Sequence, residues 1–318
     1  MLIHKSKVVI AGSGAVGSAT AFSLVTQGVC DEVVLTDINP EKAVGEAMDL
    51  QHCIEYLNRN VMVRAGSYLD CADADIVVIT ASAPYVQGQN RLDMLETSEK
   101  IVKSIVEPIQ ASGFDGHYIV ISNPVDVISY YVYKLSGLPR NQVIGTGTAL
   151  DTARLKCLIA EKIGVDPRSV HCTVMGEHGD SQMVPWSRVT VGGKDFYNII
   201  ADNRDRLNGV DLDSLVHETA KAGWEILHRK GNTNYGIATT TAGIIKAVLH
   251  NENRIISVST LLCGEYGESG VFAGVPAVLN RSGVKEVVEV RMTDEELEKF
   301  KKSVSVIREF TGKLKMNR

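Results

Sequence analysis

Val8-Val9-Ile10-Ala11-Gly12-Ser13-Gly14-Ala15-Val16-Gly17 is the stretch on which the fold turns. A short apolar run ends in G-x-G-x-x-G, and a helical pattern follows from Ala15 to Gln27. The three glycines have separate physical tasks in a strand–turn–helix unit. Gly12 permits the tight turn, Gly14 lets the backbone approach a pyrophosphate, and Gly17 lets the helix pack close to the sheet. The first helical residues, Ala15 and Val16, then turn the N-terminus of the helix toward the anion. Glycine-rich turns are common, so the context carries the signal: the motif follows an apolar strand and opens a helix.

Asp37 lies 20 residues beyond Gly17, at the end of the next apolar run, Glu32 to Thr36. A carboxylate there can accept hydrogen bonds from both ribose hydroxyls of an adenosine and repels a 2′-phosphate, which favours NAD over NADP. A plainer reading has Asp37 capping the Asn39-Pro40 turn.

Outward from this unit the first half alternates strand and helix. Glu41 to Cys53 reads as a helix, Asp75 to Thr80 as a buried strand and Leu92 to Ser112 as a long helix. His117 to Ser122 reads as a strand and Val125 to Leu135 as a helix. Continuous apolar strands separated by helices imply a doubly wound parallel sheet covered on both faces. The second half differs. A helix over Leu150 to Ile163 precedes short strands at Val170 to Met175 and Arg188 to Val191. Helices near Leu212 to Arg229 and Tyr235 to Leu249 follow, then hairpin-like strands at Ile255 to Leu262 and Val284 to Val290, and a helix from Thr293. The pattern implies an α+β domain. The expected division is 1–146 for a Rossmann domain and 147–318 for an α+β substrate domain, with the boundary in the Ile144-Gly145-Thr146-Gly147 turn.

The 318 residues suffice for two modest domains, and 44% hydrophobic with 22% charged residues is ordinary globular composition. A net charge of −5 gives no support to nucleic-acid binding. Lys299, Lys301 and Lys302 alternate with Glu295, Glu296 and Glu298 and read as a solvated helix face. The six cysteines form no CxxC pair and no zinc-ligand spacing; most read as small buried hydrophobes, and no metal is expected. No signal-peptide core or membrane-length apolar run is present, so a cytoplasmic location is the expectation.

Four polar segments carry the chemistry. Gly176-Glu177-His178-Gly179-Asp180-Ser181 follows an apolar strand, which suggests an exposed, mobile histidine. Asp151 and Arg154 lie three apart on one helix face, where a simple surface ion pair is the plainer reading. Ser122-Asn123-Pro124-Val125-Asp126 ends a strand at the carboxyl edge of the sheet, where ligands of open α/β sheets bind; turn chemistry alone would also explain it. Gln87 to Arg91 forms a polar stretch after another strand and could equally be an ordinary solvated loop.

Together GSGAVGS, Asp37, NRLD, SNPVD, GTGTALDTARLK and GEHGDS resemble the L-lactate/malate dehydrogenase family, in the family's order and over nearly the whole chain. Within it the chain is similar to bacterial L-lactate dehydrogenases and L-2-hydroxyisocaproate dehydrogenases. The resemblance implies an NAD-dependent oxidoreductase acting on a small 2-keto or 2-hydroxy acid. It makes His178 the proton donor and acceptor, Asp151 its partner carboxylate, and Arg154 the clamp for the substrate carboxylate. Arg91 becomes the loop arginine that polarises the ketone, Asn123 a residue beside nicotinamide and substrate, and Thr233 a residue lining the substrate pocket. The chemistry agrees: a guanidinium fork binds a planar carboxylate, and an imidazolium can protonate the oxygen on which charge develops.

The position that is commonly Gln in lactate enzymes and Arg in malate enzymes falls on Tyr85, which offers no cation for a second substrate carboxylate and argues against malate. Tyr85 could line the pocket or point away from it. Pyruvate and L-lactate are the expected pair, with a hydroxyisocaproate-like range as the alternative and a non-catalytic NAD-binding protein as the alternative of another class. The resemblance further implies a homotetramer or dimer, a place in glycolysis or fermentation, and a fructose 1,6-bisphosphate site at Lys156 and His171. A solvent-facing lysine and a strand histidine are the plainer reading of that last pair.

Overall fold

A computed structural model describes residues 5–82, 91–203, 207 and 209–315; the side chains of 91–94 lie outside that description. Strands β1 (Lys7–Ala11), β2 (Glu32–Thr36), β3 (Met62–Ala65), β4 (Ile76–Ile79), β5 (His117–Val120) and β6 (Val143–Gly145) pair in parallel in the order β6-β5-β4-β1-β2-β3. The strand order reverses between β1 and β4, so the carboxyl ends of these two strands border the crevice at which open α/β sheets bind ligands. Side chains alternate between two cores. Val9, Ala11, Val77, Ile79, Tyr118 and Val120 pack on one face. Val8, Ile10, Ile76, Val78 and Ile119 pack on the other. Burial on both faces is the reason these strands read as unbroken apolar runs.

Helices α1 (Ala15–Gln27), α2 (Pro40–Cys53), α3 (Arg91–Ala111) and α4 (Val125–Ser136) connect the strands, close to their sequence-predicted spans. Pro40 occupies the first turn of α2 and Asn39 its N-cap, as the Asn-Pro pair implied. Two parallel strands escaped the sequence reading. β3 is short, with Met62 and Arg64 breaking its apolar run. β6 includes Ile144 and Gly145, which read as the boundary turn, yet all three of its residues are buried within the sheet.

The second half contributes α5 (Ala149–Ile163), β7 (Val170–His171), β8 (Thr190–Val191), β9 (Lys194–Asp195), α6 (Phe196–Asp202), α7 (Leu212–Lys230), α8 (Tyr235–Leu249), β10 (Arg254–Cys263), β11 (Ser269–Asn280), β12 (Gly283–Val287) and α9 (Asp294–Thr311). The strand expected over Val170 to Met175 is two residues long, followed by a single bridge from Met175 to Met183. The expected pairing of Ile255 to Leu262 with Val284 to Val290 is replaced: β10 pairs with β11, and β11 with β12. β11 carries Gly270, Gly274 and Pro276, residue types that local strand patterns disfavour, and the sequence reading passed over it. These three strands do not form a separate sheet. β10 bonds to β6 through Ser259 opposite Gly145, extending the parallel sheet into nine strands. A third core, with Leu155, Ile159, Val174, Trp186, Phe196 and Leu215, lies under α5, α6 and α7.

Two compositional expectations need correction. Only Cys30 and Cys71 are buried; Cys53 and Cys172 are half-buried, and Cys157 and Cys263 are exposed. On α9, Glu296 is not part of a solvated face. It closes a capping box with Thr293 and accepts hydrogen bonds from the Ser187 N–H at 2.9 Å and hydroxyl at 2.7 Å. Among the described residues no helix is long and apolar enough to cross a membrane.

Candidate active site

At the end of β1 the chain enters Gly12 with φ +110°, a region side chains disfavour. A methyl group there would meet Thr80 Oγ1 at 2.7 Å, and one at Gly17 would lie 1.8 Å from the Gly12 carbonyl oxygen. Around Gly14, by contrast, no described atom lies within 4 Å of a Cβ position. Turn and helix are therefore pressed together at Gly12 and Gly17 and left open at Gly14. The Ser18 N–H donates to the Gly14 carbonyl at 2.9 Å, which leaves the N–H groups of Ala15, Val16 and Gly17 without an acceptor within the helix. Asp37 accepts the Ser13 N–H at 2.7 Å and the Asn39 N–H at 3.0 Å. Asp37 thus caps the following turn and grips the glycine turn, and its oxygens retain further acceptor positions. An open, donor-rich helix start beside a carboxylate fits a dinucleotide without a 2′-phosphate.

The polar residues gather at the same carboxyl edge. Asn123 and Asp126 follow β5, and Asp151 and Arg154 lie on α5, which follows β6. His178 Nδ1 sits 2.6 Å from Asp151 Oδ2, and Arg154 donates to Asp151 Oδ1 at 3.0 Å. The Asp151 side chain is 2% exposed and that of His178 28%, so the acid is enclosed while the ring reaches open space. Burial opposes ionisation of Asp151, yet His178 and Arg154 outweigh it and hold the carboxyl below its ordinary range. Burial also disfavours a charged His178, but Asp151, with Asp126 behind it, raises the imidazole above its ordinary pKa.

The histidine is not on a loose loop, contrary to the sequence-based expectation. Gly176 exchanges backbone hydrogen bonds with Gly274 of β11 at 2.9 and 2.8 Å. The Glu177 N–H donates to Ser303 Oγ at 2.8 Å, and the His178 N–H to Asp126 Oδ2 at 2.9 Å. Gly274 is required by this close approach, since a side chain there would run into Thr148 Oγ1 and the Gly176 carbonyl. Sequence reasoning missed Asp126, Gly274 and Ser303. Asp126 stood in the quoted SNPVD run, where an acid beside Val125 and Val127 was its only signal.

Asn123 is exposed at the start of α4, joined to Pro124 by a cis peptide bond, and its carbonyl accepts from Ser98 Oγ of α3 at 3.3 Å. Arg154 runs alongside α7, where Gly223 leaves its guanidinium room. Thr233 is half-buried between α7 and α8. Arg91 begins α3, with its side chain outside the described residues; Tyr85 lies outside them altogether. Lys156 is half-buried on α5 and His171 exposed on β7. Burial pushes the Cys172 thiol up to about 12, with the Lys156 ammonium opposing, so Lys156 lies near the strand that carries His171.

Two family models match. Residues 6–145 fit the lactate/malate dehydrogenase NAD-binding domain, and residues 148–315 the lactate/malate dehydrogenase alpha/beta C-terminal domain. The chain is 53% identical over 307 residues to L-lactate dehydrogenase 3 of Bacillus cereus, covering 96% of this chain and 97% of that one. It is 50% identical over 307 residues to L-lactate dehydrogenase 1 of Bifidobacterium longum, with the same coverage of 96% and 97%. The ligand-bound crystal structure of the minor L-lactate dehydrogenase of Enterococcus mundtii superposes with a TM-score of 0.95 at 43% identity, covering 99% of this chain and 100% of that one. With the glycine turn and the His178–Asp151–Arg154 cluster on one edge of one sheet, and with both halves matched, the chain belongs to the lactate/malate dehydrogenase family.

Proposed function

We propose that this enzyme interconverts pyruvate and L-lactate, with NAD as its redox partner. The observation that carries the reading is the 2.6 Å contact of His178 Nδ1 with a buried Asp151 whose other oxygen holds Arg154. Asp151 fixes the imidazole by Nδ1, which leaves Nε2 for the substrate oxygen. Reduced NAD, when bound, supplies the hydride for the carbonyl carbon. His178 gives its proton to the oxygen on which charge develops and takes it back in the reverse direction, while Asp151 stays ionised throughout. Arg154, held in place by Asp151, retains further N–H groups to grip a substrate carboxylate. Arg91 is assigned to stabilising the developing oxyanion, with Asn123 and Thr233 shaping the pocket. Gly12, Gly14, Ala15, Val16, Gly17 and Asp37 are assigned to the dinucleotide.

Relatives named L-lactate dehydrogenase at 53% and 50% identity support pyruvate over bulkier acids. Tyr85, lacking a charge for a second carboxylate, supports it over oxaloacetate. We further assign a chain division near residue 146, a homotetramer or dimer working in cytoplasmic fermentation, and an effector site for fructose 1,6-bisphosphate at Lys156 and His171. One experiment tests the core of this: steady-state kinetics with NADH on pyruvate, 2-ketoisocaproate and oxaloacetate, with and without the sugar bisphosphate. Pyruvate should give the highest kcat/KM, and the effector should lower its KM. A preference for oxaloacetate would overturn the substrate assignment, and unchanged saturation curves the effector assignment.

A further inference from the structure

Asp126 is 3% exposed in the first turn of α4, on a different helix from Asp151. Its Oδ2 accepts the His178 N–H at 2.9 Å, and its Oδ1 accepts the Ser259 hydroxyl of β10 at 2.5 Å. One carboxylate thus ties its own helix to two segments 52 and 133 residues away in sequence. A neutral amide could keep both contacts, its oxygen accepting the His178 N–H and its NH2 donating to the Ser259 hydroxyl oxygen, so geometry alone does not require an acid. Burying an acid is costly unless a cation answers it. Among the described residues Asp126 forms no ion pair with lysine or arginine, whereas Asp151 has Arg154. The positive partner available to Asp126 is the imidazolium of His178, with the start of α4 adding a fractional positive charge.

We infer that Asp126 is a positioning residue for His178: it holds the backbone that carries the imidazole and supplies a second negative charge that stabilises the protonated ring. This rests on reading His178 as the proton donor. The charged groups facing the ring are Asp151 and Arg154 from α5 and Asp126 from α4, with Glu177 beside it on the same loop. Asp151 and Asp126 favour the imidazolium; Arg154 opposes it. Burial pushes the Asp126 carboxyl up to about 6, while the bonds from Ser259 and His178 and the charge of the His178 imidazolium favour its ionised form.

The test is the titration of His178 in the substrate-free, full-length enzyme. It is read by NMR of histidine-labelled protein, with the His178 signal identified from its loss in His178→Asn. Asp126→Asn keeps the shape and both contacts, with the amide oxygen accepting the His178 N–H and the NH2 donating to the Ser259 hydroxyl oxygen, and removes the charge. The His178 pKa should fall by about one unit, and the pH above which kcat/KM for pyruvate declines should fall with it. Ser259→Ala, which strips one hydrogen bond from the carboxylate and makes it easier to protonate, should shift His178 in the same direction by less. It serves as the readout if Asp126→Asn does not fold. A His178 that titrates at the wild-type pH in a folded variant overturns the inference and leaves Asp126 a mere tether. The NMR arm needs no substrate, so failure to turn over pyruvate in the wild type counts against the proposed function and an unshifted His178 against this inference.

Discussion

The glycine turn and the His178 cluster lie on the same sheet edge but are built in opposite ways. The turn is largely a local object: Gly12 to Gly17 are consecutive, their donors are backbone N–H groups, and Asp37, just past the neighbouring strand, and Thr80, just past β4, brace it. The His178 cluster is a tertiary object, with Asp126, Asp151, Gly274 and Ser303 converging on a single loop. A site made of backbone depends on the absence of side chains, and a site made of side chains depends on charge. The two should therefore fail in different ways.

The largest effect expected is chemical and confined to the second region. His178→Asn removes the proposed proton donor, and pyruvate turnover should fall by about 10²–10⁴, while NADH binding followed by fluorescence stays at its wild-type affinity. Equal losses in both would mean that the two regions are not separable. Next comes the reciprocal change. Gly17→Ala places a methyl 1.8 Å from the Gly12 carbonyl, so turn and helix must part. NADH affinity should weaken and the protein should lose about 1–3 kcal/mol of stability, seen as a lower Tm, while His178 keeps its titration. An undiminished NADH affinity would break the assignment of the turn.

The smallest effect sharpens the comparison without a mutation. His178 carries a raised pKa, so its protonated form persists above the ordinary imidazole range and is lost as pH rises through the shifted value. Pyruvate, which needs that proton, should show a KM rising about tenfold per pH unit beyond that point. Lactate, which needs the neutral ring, should change in the opposite sense, and NADH binding at the turn should change little over the same range. A pyruvate KM that is flat through neutrality would remove His178 from the reaction.

Much of the fold could be read ahead of the structure, because β1, α1, β2 and α8 announce themselves through local pattern. The failures share a cause. β3 is interrupted by Arg64, β6 is three residues long and ends in Gly145, and β11 carries Gly274 and Pro276. Each is a strand because of what pairs with it, which no local window contains. The same holds at the site. Asp151 and Arg154 were visible as neighbours on one helix, but their convergence on His178 was available only through resemblance.

By itself the sequence determined the parallel strands of the first half and the glycine turn with its carboxylate, since these depend on local pattern and short-range spacing; the roles of His178, Asp151 and Arg154 it offered only through resemblance. Only the tertiary structure decided that the sheet continues into β10, β11 and β12, that the histidine loop is bolted to Gly274 and Ser303, and that a second buried acid lies beneath His178. Hydrogen bonds and charge interactions act across space, and residues 52 or 133 positions apart become partners only once the chain has folded.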